Sequence, residues 1–252
     1  MSYEKESVTV TVIRNKIIKQ LRTRSDRRTA ESAQRFFREE IDCYGIKAAD
    51  LMVIARKIGN EVKPHWSIVE VLELTESLLQ EKEQEARSCG LLILALFNRQ
   101  LTTADLGLFL SWLRKGYLNN WALIDTFSLK VVSPVILRES QGIRLLEKWL
   151  AEDNIFVKRV CLVSLIELAK KGQQTQLIYK MVLEASSAYP VNDLVAKAAG
   201  WLLREAGKAD QHLLEKFLEE HGWRLPRVSV RYAIERFPKS KRKYFLDITK
   251  KQ

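Results

Sequence analysis

The chain has 252 residues, 46% of them apolar, which is long enough for a sizeable core and too apolar for global disorder. Its 42 lysines and arginines against 31 acids leave a formal charge of +11, which points to a polyanionic partner, most commonly nucleic acid; the bland alternative is a merely basic surface. No apolar run approaches the roughly 18 residues of a membrane span, and the basic residues are scattered along the chain instead of flanking one amphipathic anchor, so a membrane partner is not expected.

From the N-terminus, the segment MSYEKESVTVTVIRNK lacks an apolar core ending in a cleavage site and reads as unsecreted. Cys43, Cys89 and Cys161 are far apart and set in apolar stretches, as buried free thiols would be. Ala86, Cys89, Gly90, Ile93, Leu94 and Phe97 recur at helical spacing, as do Val157, Val160, Cys161, Leu165 and Leu168. Asn119-Asn120, Asp153-Asn154 and Asn192-Asp193 are polar breaks that suit helix N-caps, because their side chains accept from the first free N–H groups. Pro226 suits a first helical turn. With 5 prolines and 10 glycines and no segment that needs a strand, the expected fold class is all-α.

Helix starts are expected near residues 84, 120, 154, 192 and 226, at intervals of about 34 to 38 residues. That is roughly one helix pair of a HEAT-like repeat, so the spacing predicts a curved solenoid of stacked antiparallel helix pairs, with an irregular bundle as the alternative. The whole of residues 1–252 is read as one such domain, with a basic C-terminal tail from about 239 to 252.

The chemistry-bearing patterns of most enzyme classes are missing. There is no HExxH or paired-cysteine site, no GxxxxGK[ST] phosphate loop and no GxSxG turn, and His65, His212 and His221 are dispersed. No metal and no cofactor is expected, which leaves carboxylates, aromatics and cations. Lys197, Trp201, Arg204 and Lys208 recur at i, i+4, i+7 and i+11, on one helical stripe. Trp121 and Asp125 are one turn apart and project side by side. Arg159 lies off the apolar stripe of its own helix. Taken singly, each has a bland reading: Trp201 as packing, Asp125 as a first-turn acid favoured by the helix dipole, Arg159 as a solvated cation. Their recurrence on equivalent helices of consecutive repeats weakens those readings.

Three segments carry a resemblance: Asn-Asn-Trp121-Ala-Leu-Ile-Asp125, Asp153-Asn-Ile-Phe-Val-Lys-Arg159, and Lys197-Ala-Ala-Gly-Trp201-Leu-Leu-Arg204-Glu. In this order they resemble the DNA alkylation repair family of AlkD-like alkylpurine DNA glycosylases, and Val230-Arg-Tyr-Ala-Ile-Glu-Arg-Phe-Pro238 looks like that family's terminal helix. The resemblance implies HEAT-like repeats gripping duplex DNA and a monofunctional, metal-independent enzyme. Its implied reaction is hydrolysis of the N-glycosidic bond of cationic N3- and N7-alkylated purines. The free thiols and the N-terminal segment suit a bacterial-type cytoplasm, with the protein expected at the nucleoid, and a monomer is expected. By position, Asp125 matches the catalytic carboxylate, Trp121 and Trp201 the tryptophans that pack on the lesion sugar, and Arg159 an arginine that holds the backbone. Lys197, Arg204 and Lys208 are expected to meet DNA phosphates. Where family members carry a tyrosine in the second helix, this chain has Phe36, which keeps an aromatic face and loses the hydroxyl. Two alternatives stay open: a non-catalytic nucleic-acid-binding paralogue, and a protein–protein scaffold.

Overall fold

The structure, a computed structural model, describes residues 9–187 and 191–250. The expectation for the N-terminal segment falls largely on residues 1–8, and the last two residues of the basic tail are 251–252; both lie outside the described residues. The fold class is all-α, and among the described residues there is no strand. No helix among them is long and apolar enough to cross a membrane. The chain forms two compact units, residues 1–101 and 102–252.

The first unit contains α1 (Val10–Thr23), α2 (Arg27–Gln34), α3 (Ala48–Val62), α4 (Ile68–Leu79) and α5 (Gln84–Leu96). Ser67 and Glu70 cap α4 reciprocally. Glu85, buried in the first turn of α5, accepts from the backbone N–H groups of Tyr44, Gly45 and Ile46 at 2.9, 2.8 and 3.0 Å. This anchors the loop before α3, and Gly45 allows it: φ is +81°, and a Cβ there would run into the Asp26 carbonyl oxygen. Of the three cysteines, all free thiols, Cys89 and Cys161 are buried, whereas Cys43, in that same loop, is only partly so.

The second unit contains α6 (Leu106–Arg114), α7 (Trp121–Phe127), α8 (Ser133–Arg138), α9 (Gln141–Trp149), α10 (Ile155–Val163), α11 (Ile166–Lys170), α12 (Thr175–Ala185), α13 (Asp193–Ala209), α14 (Gln211–His221), α15 (Arg227–Ala233) and α16 (Lys239–Ile248). The expected N-caps are in place. Asn120 Oδ1 accepts from Ala122 and Leu123 at 3.1 Å, Asn154 Oδ1 from Phe156 at 2.9 Å and Asn192 Oδ1 from Leu194 at 2.9 Å. Pro226 caps α15 from outside instead of opening it, because its ψ of 141° is extended. Residues 239–248, read from sequence as part of a basic tail, are helical because Phe245 and Thr249 find buried positions.

Helices α7, α10, α13 and α15 pack each on the next. Alongside them, α9 and α12 pack on α10, α12 and α14 on α13, and α16 on α14 and α15. An aromatic cluster of Phe109, Trp112 and Phe127, with centroids 5.3 to 6.4 Å apart, fills the core under α7. Between α7 and α8 runs a single π turn, Ser128–Val132, in which Ser133 N–H donates five residues back to the Ser128 carbonyl. Pro134, which follows, has no N–H to give to residue 130, so the helix widens just ahead of it.

Helices α13 and α15 approach each other closely. Ser229 Oγ donates to the Ala196 carbonyl at 2.7 Å. A Cβ on Gly200 would meet Tyr232 Cβ at 2.5 Å and the Ser229 carbonyl oxygen at 2.6 Å. Gly200→Ala should therefore push the helices apart at a cost of about 1–3 kcal/mol, outweighing the propensity gain of up to about 1 kcal/mol. Thermal melting of the variant should show a lower Tm; an equal or higher Tm would mean that the two helices do not touch at Gly200.

Candidate functional site

The site is built on α7, α10 and α13, all in the second unit. Asn120 starts α7 so that Trp121 is its first residue and Asp125 sits one turn further on, both half-buried. Asn154 starts α10 and thereby sets Arg159 in its second turn. Arg159 is not a solvated cation; it is 6% exposed. Its Nε donates to Asp125 Oδ1 at 2.9 Å and its Nη2 to Asp125 Oδ2 at 2.8 Å, a bidentate pair. Nη1 donates to the Leu194 carbonyl oxygen in the first turn of α13. One guanidinium thus joins three helices.

Burial pushes the Asp125 carboxyl above the ordinary carboxylate range, while the hydrogen bonds and charge of Arg159 pull it part of the way back. With its side chain 18% exposed, Asp125 keeps an open edge.

Trp201 is half-buried on α13, seven residues and two turns beyond Leu194. The cations of its stripe are all engaged. Lys197 pairs with Asp193 at 2.8 Å. Arg204 pairs with Glu235 and reaches Glu205 at 3.5 Å, and Lys208 pairs with Glu205. Sequence reasoning did not single out Glu205, the hub of this set, which is 3% exposed. Its burial alone would raise the carboxyl, yet the Lys208 hydrogen bond and the charges of Lys208, Arg204 and Lys170 carry it below its usual range. The signal available was local: an acid directly after Arg204 and three residues before Lys208, where i,i+3 pairs meet.

Phe36 departs from its expected placement in the second helix. Gln34 ends α2 by turning its side chain on the following loop, donating to the Glu39 carbonyl at 2.8 Å and accepting from Ile41 N–H at 2.9 Å. Phe36 then falls in the turn, 74% exposed, in the first unit. Among the described residues no group of three or more His, Cys, Asp or Glu is placed to hold a metal ion.

A paired tryptophan and carboxylate on α7, an arginine on α10 locking that carboxylate, and a tryptophan–arginine stripe on α13 form one ordered set. The DNA alkylation repair enzyme family matches residues 17–237, a span that includes all of it. The chain belongs to that family. Membership gives it a role in the repair of alkylated DNA, as an enzyme whose substrate is DNA. The fold agrees: a solved structure described as a predicted DNA alkylation repair enzyme from Enterococcus faecalis superposes with a TM-score of 0.76 at 16% identity, covering 85% of this chain and 97% of that one. No curated protein matches the chain.

For this family member, the Arg159–Asp125 pair can be tested as a structural tie. Arg159→Met leaves a carboxylate in a partly dry site and should cost about 3–5 kcal/mol in urea unfolding, whereas Arg159→Met with Asp125→Leu should recover much of it. A single-variant effect below about 1 kcal/mol would mean that the pair does not hold the helices together.

Proposed function

We propose that this protein is a monofunctional, metal-independent DNA glycosylase that removes cationic N3- and N7-alkylated purines from duplex DNA. The observation that carries the proposal is Asp125: a carboxylate with one open edge, fixed in orientation by a bidentate arginine, one turn from Trp121. Alkylation at N3 or N7 makes the purine a cationic leaving group, so departure needs little acid help. The demand moves to the deoxyribose, which gains oxocarbenium charge as the bond to C1′ breaks. A carboxylate held beside C1′ stabilises that charge and orients the attacking water, as in glycoside hydrolysis. Partial burial strengthens its field, because less water screens it. The indoles of Trp121 and Trp201 add electron-rich faces toward the same charge.

The tie to Arg159 fits this chemistry. Two parallel hydrogen bonds leave the carboxylate no freedom to rotate, so none is lost in the transition state. In this reading α7, α10, α13 and α15 are the leading helices of successive HEAT-like repeats, and the enzyme acts as a monomer. Arg204 is the cation best placed to trade partners: its acid Glu235 is 59% exposed, and a pair so wet is held weakly enough for a phosphate to replace it. Phe36 offers an exposed ring without the hydroxyl.

A second reading has an observation of its own. Both Asp125 oxygens already accept from Arg159, which is what a purely structural acid would do, and a non-catalytic DNA-binding paralogue would need nothing more. Base release from duplex containing N7-methylguanine decides between them. The wild type should release free base in EDTA and give no adduct on borohydride reduction. Under single-turnover conditions Asp125→Asn should lower the rate by ~10²–10³ while binding the same duplex as well or better. Thermal melting run alongside separates a chemical defect from a folding defect. Release at the wild-type rate by a folded Asp125→Asn protein would return Asp125 to a structural role.

The pH profile gives an independent check. Only the ionised carboxylate helps, and burial holds its proton to higher pH than usual, so the rate should rise through an acid limb lying above the ordinary aspartate range. In Arg159→Met, which removes the two influences that lower it, that limb should move to still higher pH. A limb that stays in place would separate the rate from Asp125 ionisation.

A further inference from the structure

The cations of the α13 stripe are paired with acids within the protein, yet the chain carries a second basic region that is paired only in part. Residues 224–243 hold eight lysines and arginines against one acid, Glu235, which is itself paired with Arg204. The region folds as α15 and α16, joined where Arg227 donates to the Leu246 carbonyl oxygen. The basic helix α16 has two sides. On one, Lys241 pairs with Glu215 and Tyr244 Oη donates to Glu219 at 3.4 Å, both acids on α14. On the other, Lys239, Arg242 and Lys243 stand at i, i+3 and i+4 and so share a face. Among the described residues none of these three has an acid within 4 Å; Asp247, one turn on from Lys243, bonds to Lys250, and that hydrogen bond holds it below its usual range with only smaller help from the more distant charges of Lys243 and Arg227. Arg231, exposed on α15, adds to the same excess.

Like charges gathered on one short helix repel, and an anion that meets them relieves that repulsion. We infer that the α15–α16 surface is a second, lesion-independent phosphate-binding surface that grips the duplex to one side of the damaged base. The inference rests on DNA being the substrate and not on base excision. Its reach follows from packing: the three cations lie on α16, which meets α15, as α15 meets α13 and α13 meets α10, so up to three interhelix spacings of about 8–10 Å separate the Arg159 helix from them. At about 3.4 Å per base pair along the duplex, the surface falls within about seven to nine base pairs of the site. Compact cations on a flexible stem suit phosphates, which carry no sequence information, so the grip should be indifferent to sequence.

The test uses undamaged duplex and the full-length protein. Lys239→Gln with Arg242→Gln and Lys243→Gln should weaken binding at least tenfold at low salt and reduce the log–log salt slope by about 0.9 for each phosphate no longer neutralised. Lys239→Arg with Lys243→Arg, which keeps the charge, should bind as the wild type does. Lys239→Gln with Lys243→Gln alone, both exposed, gives a milder version should the triple variant fold poorly. Duplexes cut back to about four base pairs on one side of the centre, then on the other, locate the grip. Truncation on one side should erase the difference between wild type and variant. An unchanged slope, a weakening that ignores duplex length, or a weakening seen only on phosphatidylserine vesicles would overturn the inference. Failure of the wild type to release any base would instead sink the excision reading and leave this result standing.

Discussion

A guanidinium buried where three helices meet must find an anion, and much of the second unit answers to that requirement. Taking an arginine out of water is tolerable only when its donors are met and its charge is balanced. Asp125 supplies the charge and two acceptors; the Leu194 carbonyl supplies a third acceptor. The positions of α7 and α13 relative to α10 are thereby tied to one side chain. The same constraint couples the structural and the chemical use of Asp125. A carboxylate that anchors helices is rigid, and rigidity is what an electrostatic catalyst requires. A change at either residue therefore disturbs both roles together, and neither can drift independently of the other.

The helix starts were legible because their cause is local. Asn120, Asn154 and Asn192 need only their own next two or three N–H groups, and those are fixed by sequence order. The arginine at 159 was legible as a residue off its helix's apolar stripe, but its burial was not, since the partner lies 34 residues away and only tertiary packing brings it near. For the same reason the stripe of Lys197, Arg204 and Lys208 looked like free charge. Asp193 and Glu205 on the same helix, and Glu235 beyond it, were available as partners, and spacing alone does not say which rotamers meet. Phe36 was displaced by a different kind of event: the amide of Gln34 ties down the loop that follows, through the Glu39 carbonyl and the Ile41 N–H, and Phe36 falls in the turn between.

The excess charge of +11 is unevenly employed. Around the candidate site, Arg159, Lys197, Arg204 and Lys208 are matched by acids, which keeps that surface electrostatically quiet until a ligand competes for them. On α16, Lys241 is matched by Glu215, whereas Lys239, Arg242 and Lys243 are not. A net charge says that an anion is welcome somewhere; only the pairing pattern says where it would displace nothing. The same reasoning explains why Gly200 stands before Trp201. The close approach of α15 leaves no room for a side chain at 200, so the tryptophan that follows is carried on a helix held directly against its neighbour's backbone.

The π turn at Ser128–Val132 bears on how this site can be lost. An α-helix advances about 100° per residue, and the wide turn takes in one extra residue while the stretches before and after it keep their faces. Trp121 and Asp125 ride on the first stretch, and Ser133–Arg138, packed on the core through Val135 and Ile136, on the second. A further residue inserted here would exceed what one wide turn absorbs and would swing the indole and the carboxylate about 100° away from Arg159. Every functional side chain would still be encoded, yet the site would be dismantled. For this stretch of chain, length is as much a determinant of activity as identity.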